Sequence, residues 1–146
     1  MIKVIIADDH KLIREAWNLL LSRDKRLSII ALCENGFQAI EACKRLQPDV
    51  VLMDINMEPI SGIEATRAIR KFNEAVRIIG ISIHTDLPYI NALMQAGANG
   101  YVTKNSSGEE MLKAIMLIME GKRYFCREIA DMMSSVDRLT SISFLK

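Results

Sequence analysis

The chain has 146 residues, half of them apolar and a quarter charged, with 19 basic against 18 acidic side chains. This length suits one domain with a single core, and the balanced charge argues against a strongly basic nucleic-acid-binding protein. No apolar run reaches the ~20 residues of a membrane span, no signal-peptide layout precedes the first apolar run, and the three cysteines lack metal-ligand spacing. We therefore expect a soluble cytoplasmic protein without membrane contact.

Short apolar runs alternate with longer segments of helical spacing along most of the chain. Nearly continuous runs rich in Val and Ile are typical of parallel strands covered on both faces. The predicted strands are Ile2–Ala7, Ser28–Cys33, Asp49–Met53, Arg77–Ser82 and Ala98–Val102. The predicted helices are 11–22, 36–46, 62–72, 87–96 and 107–120. Five strand–helix units in series predict an α/β fold, a doubly wound five-stranded parallel sheet in the order 2-1-3-4-5 with helices on both faces.

Serine residues mark the starts of two of these helices. Ser61 and Ser106 each stand three residues before a glutamate, Glu64 and Glu109, which is the capping-box pattern. In that pattern the hydroxyl and the carboxylate satisfy backbone N–H groups that have no partner within the helix. Ser61 and Ser106 are therefore the predicted N-caps of the third and fifth helices.

The pattern changes after Gly121, so we divide the chain into a domain over 1–121 and a linker and tail over 122–146. Apolar residues of the tail recur at helical spacing and predict a short amphipathic helix. They are Phe125, Ile129, Met132, Met133 and Val136. The predicted helix over 107–120 is apolar around nearly its whole circumference. We therefore expect it to be covered, either by the tail or by a second subunit in a homodimer.

Polar residues follow the predicted strands at the edge where a doubly wound sheet forms its sites. Asp8 and Asp9 follow the first strand, Asp54 follows the third, Ser82 ends the fourth, and Lys104 comes after the fifth. Three carboxylates and one ammonium sum to about −2, which is costly unless a cation joins them or some of them protonate. Mg²⁺ suits such a cluster because it prefers oxygen ligands and keeps several waters.

These residue types together indicate phosphoryl chemistry assisted by Mg²⁺. Asp9 and Asp54 are the expected direct carboxylate ligands, Asp8 lies close by, and the backbone carbonyl of Asn56 offers another oxygen. Asp54 would then act as a nucleophile toward a phosphoryl group. Lys104 and the metal would neutralise the charge on the transferring oxygens.

This set resembles the receiver domain of two-component response regulators, over about residues 1–121. The features that carry the resemblance are Asp8-Asp9, Asp54 within Met-Asp-Ile-Asn-Met, Ser82 and Lys104. The resemblance implies that Asp54 takes a phosphoryl group from a phosphohistidine on a sensor histidine kinase. It also implies that Asp8 and Asp9 hold Mg²⁺ and that Lys104 contacts the phosphoryl group.

The resemblance further implies that Ser82 and Tyr101 carry a conformational switch, and it points to the NarL/LuxR type. The segments similar to that type are Asp8-Asp9-His10-Lys-Leu-Ile-Arg14, Gly100-Tyr-Val-Thr-Lys104 and Gly121-Lys-Arg-Tyr-Phe125. Such proteins usually control transcription through a C-terminal helix-turn-helix domain, the only part expected to bind DNA. That domain is missing from this sequence, although Leu139-Thr140-Ser141 resembles its beginning. The sequence is then either a fragment cut at the linker or a receiver that acts alone.

Several residues beside the predicted acceptor are expected to tune it rather than to react. Ile83 stands where receivers commonly have a small residue and would narrow access to Asp54. Asn56 and His84 would affect access or the lifetime of the phosphoryl group. His10 is expected as a polar residue at the start of the first helix rather than as a ligand, because imidazole matches Mg²⁺ poorly.

Other functions fit the sequence less well. A phosphohydrolase of the haloacid-dehalogenase type would need a second acid where Asp54-Ile55-Asn56 has asparagine. Direct DNA binding is disfavoured by the balanced charge. A binding module that no longer takes phosphate is the alternative that we keep. Any enzymatic activity of the leading candidate would be confined to its own phosphorylation and dephosphorylation.

Overall fold

β-strands and α-helices alternate in the structure, a computed structural model that describes residues 1–83 and 86–133. The strands are β1 (Ile2–Ala7), β2 (Leu27–Cys33), β3 (Val50–Asp54), β4 (Arg77–Ser82), β5 (Gly100–Thr103) and β6 (Tyr124–Phe125). The helices are α1 (Lys11–Ser22), α2 (Gly36–Leu46), α3 (Gly62–Arg70), α4 (Leu87–Ala96) and α5 (Gly108–Met119). Residues 127–133 are also helical. His84, Val136 and Leu139-Thr140-Ser141 lie outside the described residues.

The strands form one parallel sheet in the order β2-β1-β3-β4-β5-β6. The predicted doubly wound class and the order of the first five strands are confirmed, but the predicted five-stranded sheet lacked β6. Phe125, which the sequence placed in a tail helix, lies in β6 opposite Tyr101. Gly100 allows this pairing, because a Cβ atom there would stand 2.6 Å from the backbone oxygen of Tyr124.

The core lies on both faces of the sheet, as the nearly continuous apolar runs of the strands predict. All five residues of β3 are buried, as are the last four of β1. The core continues into the tail, where Cys126 and Ile129 are buried and Met132 and Met133 pack against the core. β6 also contacts α5. The tail therefore covers part of that helix, and a tail or a second subunit was the cover expected from the sequence. None of the helices in the described ranges has the length and apolarity of a membrane span.

One of the two predicted serine N-caps is confirmed, and the other is shifted by one residue. Ser61 caps α3 as predicted. At α5 the cap is Ser107 and not the predicted Ser106, since Ser107 Oγ accepts the backbone N–H of Glu110 at 3.0 Å. Ser106 is held in the preceding loop, where its N–H donates to the Thr103 carbonyl and its hydroxyl lies 3.2 Å from that of Thr103.

Candidate functional site

The carboxyl ends of four parallel strands bring the predicted polar residues to one edge of the sheet. Asp8 follows β1, Asp54 ends β3, Ser82 ends β4 and Lys104 follows β5. These four strands are neighbours in the sheet, so their ends converge at the point where open α/β sheets form their sites. The Lys104 backbone N–H donates to the Ser82 carbonyl at 2.9 Å, which holds the loop after β5 against β4.

Four titratable side chains form what we call the acidic pocket: Asp8, Asp9, His10 and Asp54. Each offers one ligand atom, and these atoms all lie within 4.8 Å of one another. Asp8 and Asp54 are fully buried, whereas Asp9 and His10 are exposed. Two carboxylates of the pocket are therefore buried, and the third carboxylate and the imidazole face solvent.

Lys104 places one ammonium group between the two buried carboxylates. Its Nζ lies 3.3 Å from Asp8 Oδ2 and 3.2 Å from Asp54 Oδ2, and its side chain is only 6% exposed. One ammonium cannot neutralise three carboxylates, so the pocket keeps an excess of negative charge. A cation from solution would relieve that excess.

The ionisation of Asp54 shows the cost of this arrangement. Burial, followed by the nearby Asp8 charge, raises the pKa of Asp54 to about 7. The charge of Lys104 and the backbone N–H of Asn56, which donates to Asp54 Oδ1 at 3.1 Å, act in the opposite direction and favour the carboxylate. A bound cation would act in the same sense as Lys104, so it would favour the charged, nucleophilic form.

The donor set of the pocket fits a hard divalent cation. Asp8 Oδ2 is buried and receives no hydrogen bond from any described residue, although the Lys104 ammonium lies near it. Asp8, Asp9 and Asp54 each offer a carboxylate oxygen, and these oxygens lie within 4.8 Å of one another. Oxygen ligands with room for water are what Mg²⁺ prefers. The residues present therefore fit Mg²⁺.

A polar chain leads from Asp54 toward the core. The Asn56 side-chain amide donates to Ser82 Oγ at 3.3 Å, and a side-chain hydrogen bond links Ser82 to Tyr101. Both Ser82 and Tyr101 are fully buried, and burial raises the pKa of the Tyr101 hydroxyl to about 12. The aromatic residue of the predicted switch is thus buried and hydrogen-bonded to Ser82.

His10 and Arg14 make contacts in the site that the sequence analysis did not predict. His10 does start α1 as its N-cap residue, but its Nδ1 also lies 3.1 Å from Asp9 Oδ1 and 3.2 Å from Asp8 Oδ1. Arg14 is nearly buried and donates from Nη1 to the Asp8 carbonyl at 2.6 Å, which fixes the end of β1. Their positions one turn apart at the start of the first helix, directly after the acid pair, are the signal that would have found them.

Ile83 directly follows the last residue of β4. Its side chain is 71% exposed, and it lines a surface cavity together with Thr103 and Lys104. Its expected effect on access stays a prediction, as does the expected effect of His84, which lies in the part of the chain that is not described.

Comparison with known proteins relates the chain to one family. Residues 4–116 match the model of the response regulator receiver domain. The chain is 35% identical over 134 residues to the response regulator GacA of Pseudomonas syringae pv. syringae and 37% identical over 134 residues to the response regulator UvrY of Escherichia coli. These matches cover 92% of this chain but 63% and 62% of those proteins. The chain thus spans less than two thirds of the length of these curated relatives.

Solved structures show the same likeness in three dimensions. A two-component response regulator of the LuxR family from Aurantimonas sp. matches with a TM-score of 0.88 and 32% identity, over 94% of this chain and 97% of that one. The signal receiver domain of NarL from Mycobacterium tuberculosis matches with a TM-score of 0.80 and 30% identity, over 83% of this chain and 98% of that one. Both the sequence and the fold therefore point to the same type of domain.

Proposed function

The chain belongs to the response regulator receiver domain family, and from this premise we propose that it is a signalling switch operated by phosphorylation of Asp54. The observation that carries the proposal is the placement of this carboxylate. Asp54 is buried at the end of β3, 3.2 Å from the Lys104 ammonium and within the same cluster as Asp8 and Asp9. A nucleophile, a cation beside it and further acids are thus held in one pocket.

The proposed donor is a phosphohistidine on a sensor histidine kinase. An oxygen of Asp54 attacks the phosphorus, the new O–P bond forms as the N–P bond breaks, and the departing imidazole nitrogen keeps the electron pair. The Lys104 ammonium stabilises the charge on the transferring oxygens. Attack of water on the phosphorus of the acyl phosphate breaks the bond to Asp54, releases inorganic phosphate and restores the carboxylate, so the chemistry acts only on the protein itself.

The proposed cofactor is Mg²⁺, held by Asp8, Asp9 and Asp54 with the backbone carbonyl of Asn56 as a further ligand. When bound, it supplies positive charge to the phosphoryl oxygens. The buried Asp8 oxygen that receives no hydrogen bond supports this role, because a cation would satisfy it. Asn56 stands at the mouth of the site, where it would also affect the lifetime of the phosphoryl group.

The proposed switch runs through Ser82 and Tyr101. A phosphoryl group on Asp54 offers new acceptor oxygens, and the Ser82 hydroxyl would turn toward them and release its bonds to Asn56 and Tyr101. Because the Tyr101 carbonyl accepts the Cys126 N–H at 3.1 Å, a shift of Tyr101 reaches the tail through β6. Phosphorylation would favour one of two pre-existing conformations.

The proposed output is a change of dimerisation or of transcription. The relatives GacA and UvrY are response regulators of greater length. We propose that a helix-turn-helix domain carries DNA binding in the complete protein, with 1–121 as the receiver and 122–146 as the linker and tail. Ile83 and His84 would tune access to the acceptor.

Uptake of a phosphoryl group from acetyl phosphate with Mg²⁺ tests the proposal. The wild type should gain the mass of one phosphoryl group in an intact-protein mass spectrum. The linkage should be labile to acid, to base and to hydroxylamine, as an acyl phosphate is, whereas serine and threonine phosphate esters are stable to acid. Asp54→Asn should abolish this gain because the nucleophile is lost. Asp49→Asn is the matched control, since Asp49 lies at the opposite end of the sheet beside Lys3, and it should behave as the wild type.

Two results would contradict the proposal. Phosphoryl uptake that persists in Asp54→Asn would move the acceptor to another residue. A wild type that binds Mg²⁺ and takes up no phosphoryl group from acetyl phosphate or from a kinase would instead favour a binding module with a receiver fold.

A further inference from the structure

β2 forms one border of the sheet, and its outer side is open. In the described part of the chain, β2 pairs with β1 alone. Its first N–H donates to the Asp24 carbonyl and its last carbonyl accepts from Asp8, whereas the backbone of residues 28–32 bonds to no described segment except β1. Residues 28–31 are half-buried, and Leu32 is 40% exposed. Such a border can bind a further strand through its backbone.

The sequence of β2 has few of the features that protect border strands. Natural border strands are kept from pairing by charged residues, by proline, by a short length or by a bulge. β2 has seven residues, Leu-Ser-Ile-Ile-Ala-Leu-Cys, and carries neither a charge nor a proline. The opposite border of the sheet is β6, which has only two residues. β2 is therefore the border at which we expect a further strand to be added.

The one protecting feature of β2 is a bulge, and it limits the register that an added strand can take. Val4 and Ile5 of β1 pair with Ile29 and Ala31, so Ile30 is an extra residue in the ladder. A bulge divides a strand into two pieces and fixes the register of its pairing. An antiparallel copy of β2 fits this division when the two bulges coincide, so that 27–29 of one copy pair with 31–33 of the other.

The charges that flank β2 favour this antiparallel arrangement. Arg26 precedes the strand and Glu34 follows it, with side chains 60% and 67% exposed. Asp24 lies 2.8 Å from the Arg26 guanidinium and Arg14 lies 3.8 Å from Glu34, which holds both charges near the ends of the strand. About a twofold axis at Ile30, Arg26 of each copy lies opposite Glu34 of the other. Opposite charges across two strands stabilise the pair, whereas parallel copies in register would bring like charges together.

We propose that two copies of this chain associate through antiparallel β2 strands, about a twofold axis at Ile30. Both copies use the same surface, and the assembly closes at the dimer because each copy has one β2. The joined sheet then ends at both borders in the two-residue β6. The inference goes beyond the proposed function, and it does not depend on a phosphoryl group at Asp54.

Sedimentation equilibrium of the unphosphorylated chain and of two charge-reversed variants tests the proposal. Arg26→Glu and Glu34→Lys should each weaken dimerisation by about tenfold, because each change places like charges at two symmetry-related contacts. An equal mixture of the two variants should restore the dimer, since both contacts of the mixed pair again join opposite charges. Lys71→Glu makes the same change of charge at an exposed position at the end of α3 and should dimerise as the wild type does.

Hydrogen exchange identifies the strand that forms the interface. In the wild type, amides within residues 28–32 should exchange more slowly as the protein concentration rises, because the added strand bonds to them. Leu32→Lys places a charge on the open border and should abolish this dependence on concentration. Urea unfolding checks that this variant and the two charge-reversed variants are folded, as we expect for changes at exposed side chains.

Three results would overturn the proposal. The first is a wild type that stays monomeric up to the highest concentration at which it is soluble. The second is a dimer that withstands both charge reversals, or one that the mixture of the two folded variants fails to restore, because the contact between Arg26 and Glu34 would then be absent. The third is slow exchange of residues 28–32 at every concentration, which would mean that β2 is covered within a single molecule.

Discussion

Charged side chains at the two ends of the sheet differ in how fully the chain satisfies them with hydrogen-bond partners. At the amino ends of the strands, the Arg70 guanidinium at the end of α3 is surrounded by neutral acceptors supplied by the chain. It donates to the carbonyls of Gly97, Asn73 and Val76 and to the Asn99 side chain, at 2.6–3.1 Å. Burial lowers the pKa of Arg70, but each of its three nitrogens has a partner.

At the carboxyl ends of the strands, the charged groups of the acidic pocket are not all satisfied by partners from the described residues. Asp8 and Asp54 share the single ammonium of Lys104, and one buried oxygen of Asp8 receives no hydrogen bond from the described residues. Satisfied polar groups stabilise a fold, whereas unsatisfied ones are typical of sites that a ligand completes. The comparison therefore separates the end of the sheet that holds the fold together from the end that we expect to bind.

The largest expected effect comes from removing charge at the unsatisfied end. Burial and the Asp8 charge raise the pKa of Asp54 to about 7, above the ~3.9 of an unfolded chain. Between about pH 4 and pH 7 the folded protein therefore holds a proton that the unfolded chain has lost, and the free energy of unfolding falls as pH rises through that window. Asp54→Asn removes this penalty. It should raise the free energy of unfolding at pH 8 by up to about 4 kcal/mol without metal, since one pKa unit is worth about 1.4 kcal/mol.

Urea unfolding in EDTA at a series of pH values checks this prediction. The gain of Asp54→Asn over the wild type should be near zero at pH 4 and should grow toward pH 8, and added Mg²⁺ should reduce it by stabilising the wild type. Asp49→Asn, at the other end of the sheet, should show no such growth. A variant that is less stable than the wild type at pH 8 would contradict the account of the pocket.

The second prediction is a loss of stability, and it concerns the Arg70 cluster at the amino ends of the strands. Arg70→Met removes a cation and takes the Arg70 donor from three backbone carbonyls, whereas the Asn99 side-chain oxygen keeps the N–H of Ile78. It should lower the free energy of unfolding by about 3 kcal/mol, because each lost hydrogen bond costs about 1 kcal/mol and part of this is regained by water. Arg67→Met, an exposed position on the same helix, should change stability by less than about 0.5 kcal/mol. Equal urea midpoints for the two variants would show that the Arg70 cluster is dispensable.

The smallest effect lies in the loop that leads from Lys104 to α5. Ser107→Ala removes the hydroxyl that accepts the Glu110 N–H and should lower the free energy of unfolding by about 1 kcal/mol. Ser106→Ala, one residue earlier, should keep the helix cap and cost less. Thermal melts of the two variants compare their stabilities directly. A larger loss of stability in Ser106→Ala than in Ser107→Ala would show that Ser106 is the N-cap, as the sequence predicted.

Local patterns were enough to predict most of the fold. The strands from β1 to β5 are nearly continuous apolar runs, and parallel strands can be connected in few ways, so their order follows. The same reasoning placed Asp8, Asp54, Ser82 and Lys104 at one edge, because the carboxyl ends of parallel strands converge.

What the sequence missed depends on contacts between distant segments. β6 has only two residues, and its pairing requires the close approach that Gly100 permits, so no periodicity marks it. The cap moved from Ser106 to Ser107 because Thr103 engages Ser106. His10 was correctly placed at the start of a helix, but its contact with Lys104 joins residues 94 positions apart and leaves no trace in a local pattern.

The pairing of β6 with β5 also bears on self-association through the backbone. A strand at the border of a sheet presents unpaired N–H and carbonyl groups, on which another molecule can add a strand and begin aggregation. Here Tyr124 and Cys126 donate their N–H groups to the carbonyls of Asn99 and Tyr101. The chain thereby covers its own β5 with a strand of only two residues, too short to serve as a new template. Removal of this segment should expose a border strand, with aggregation as the result.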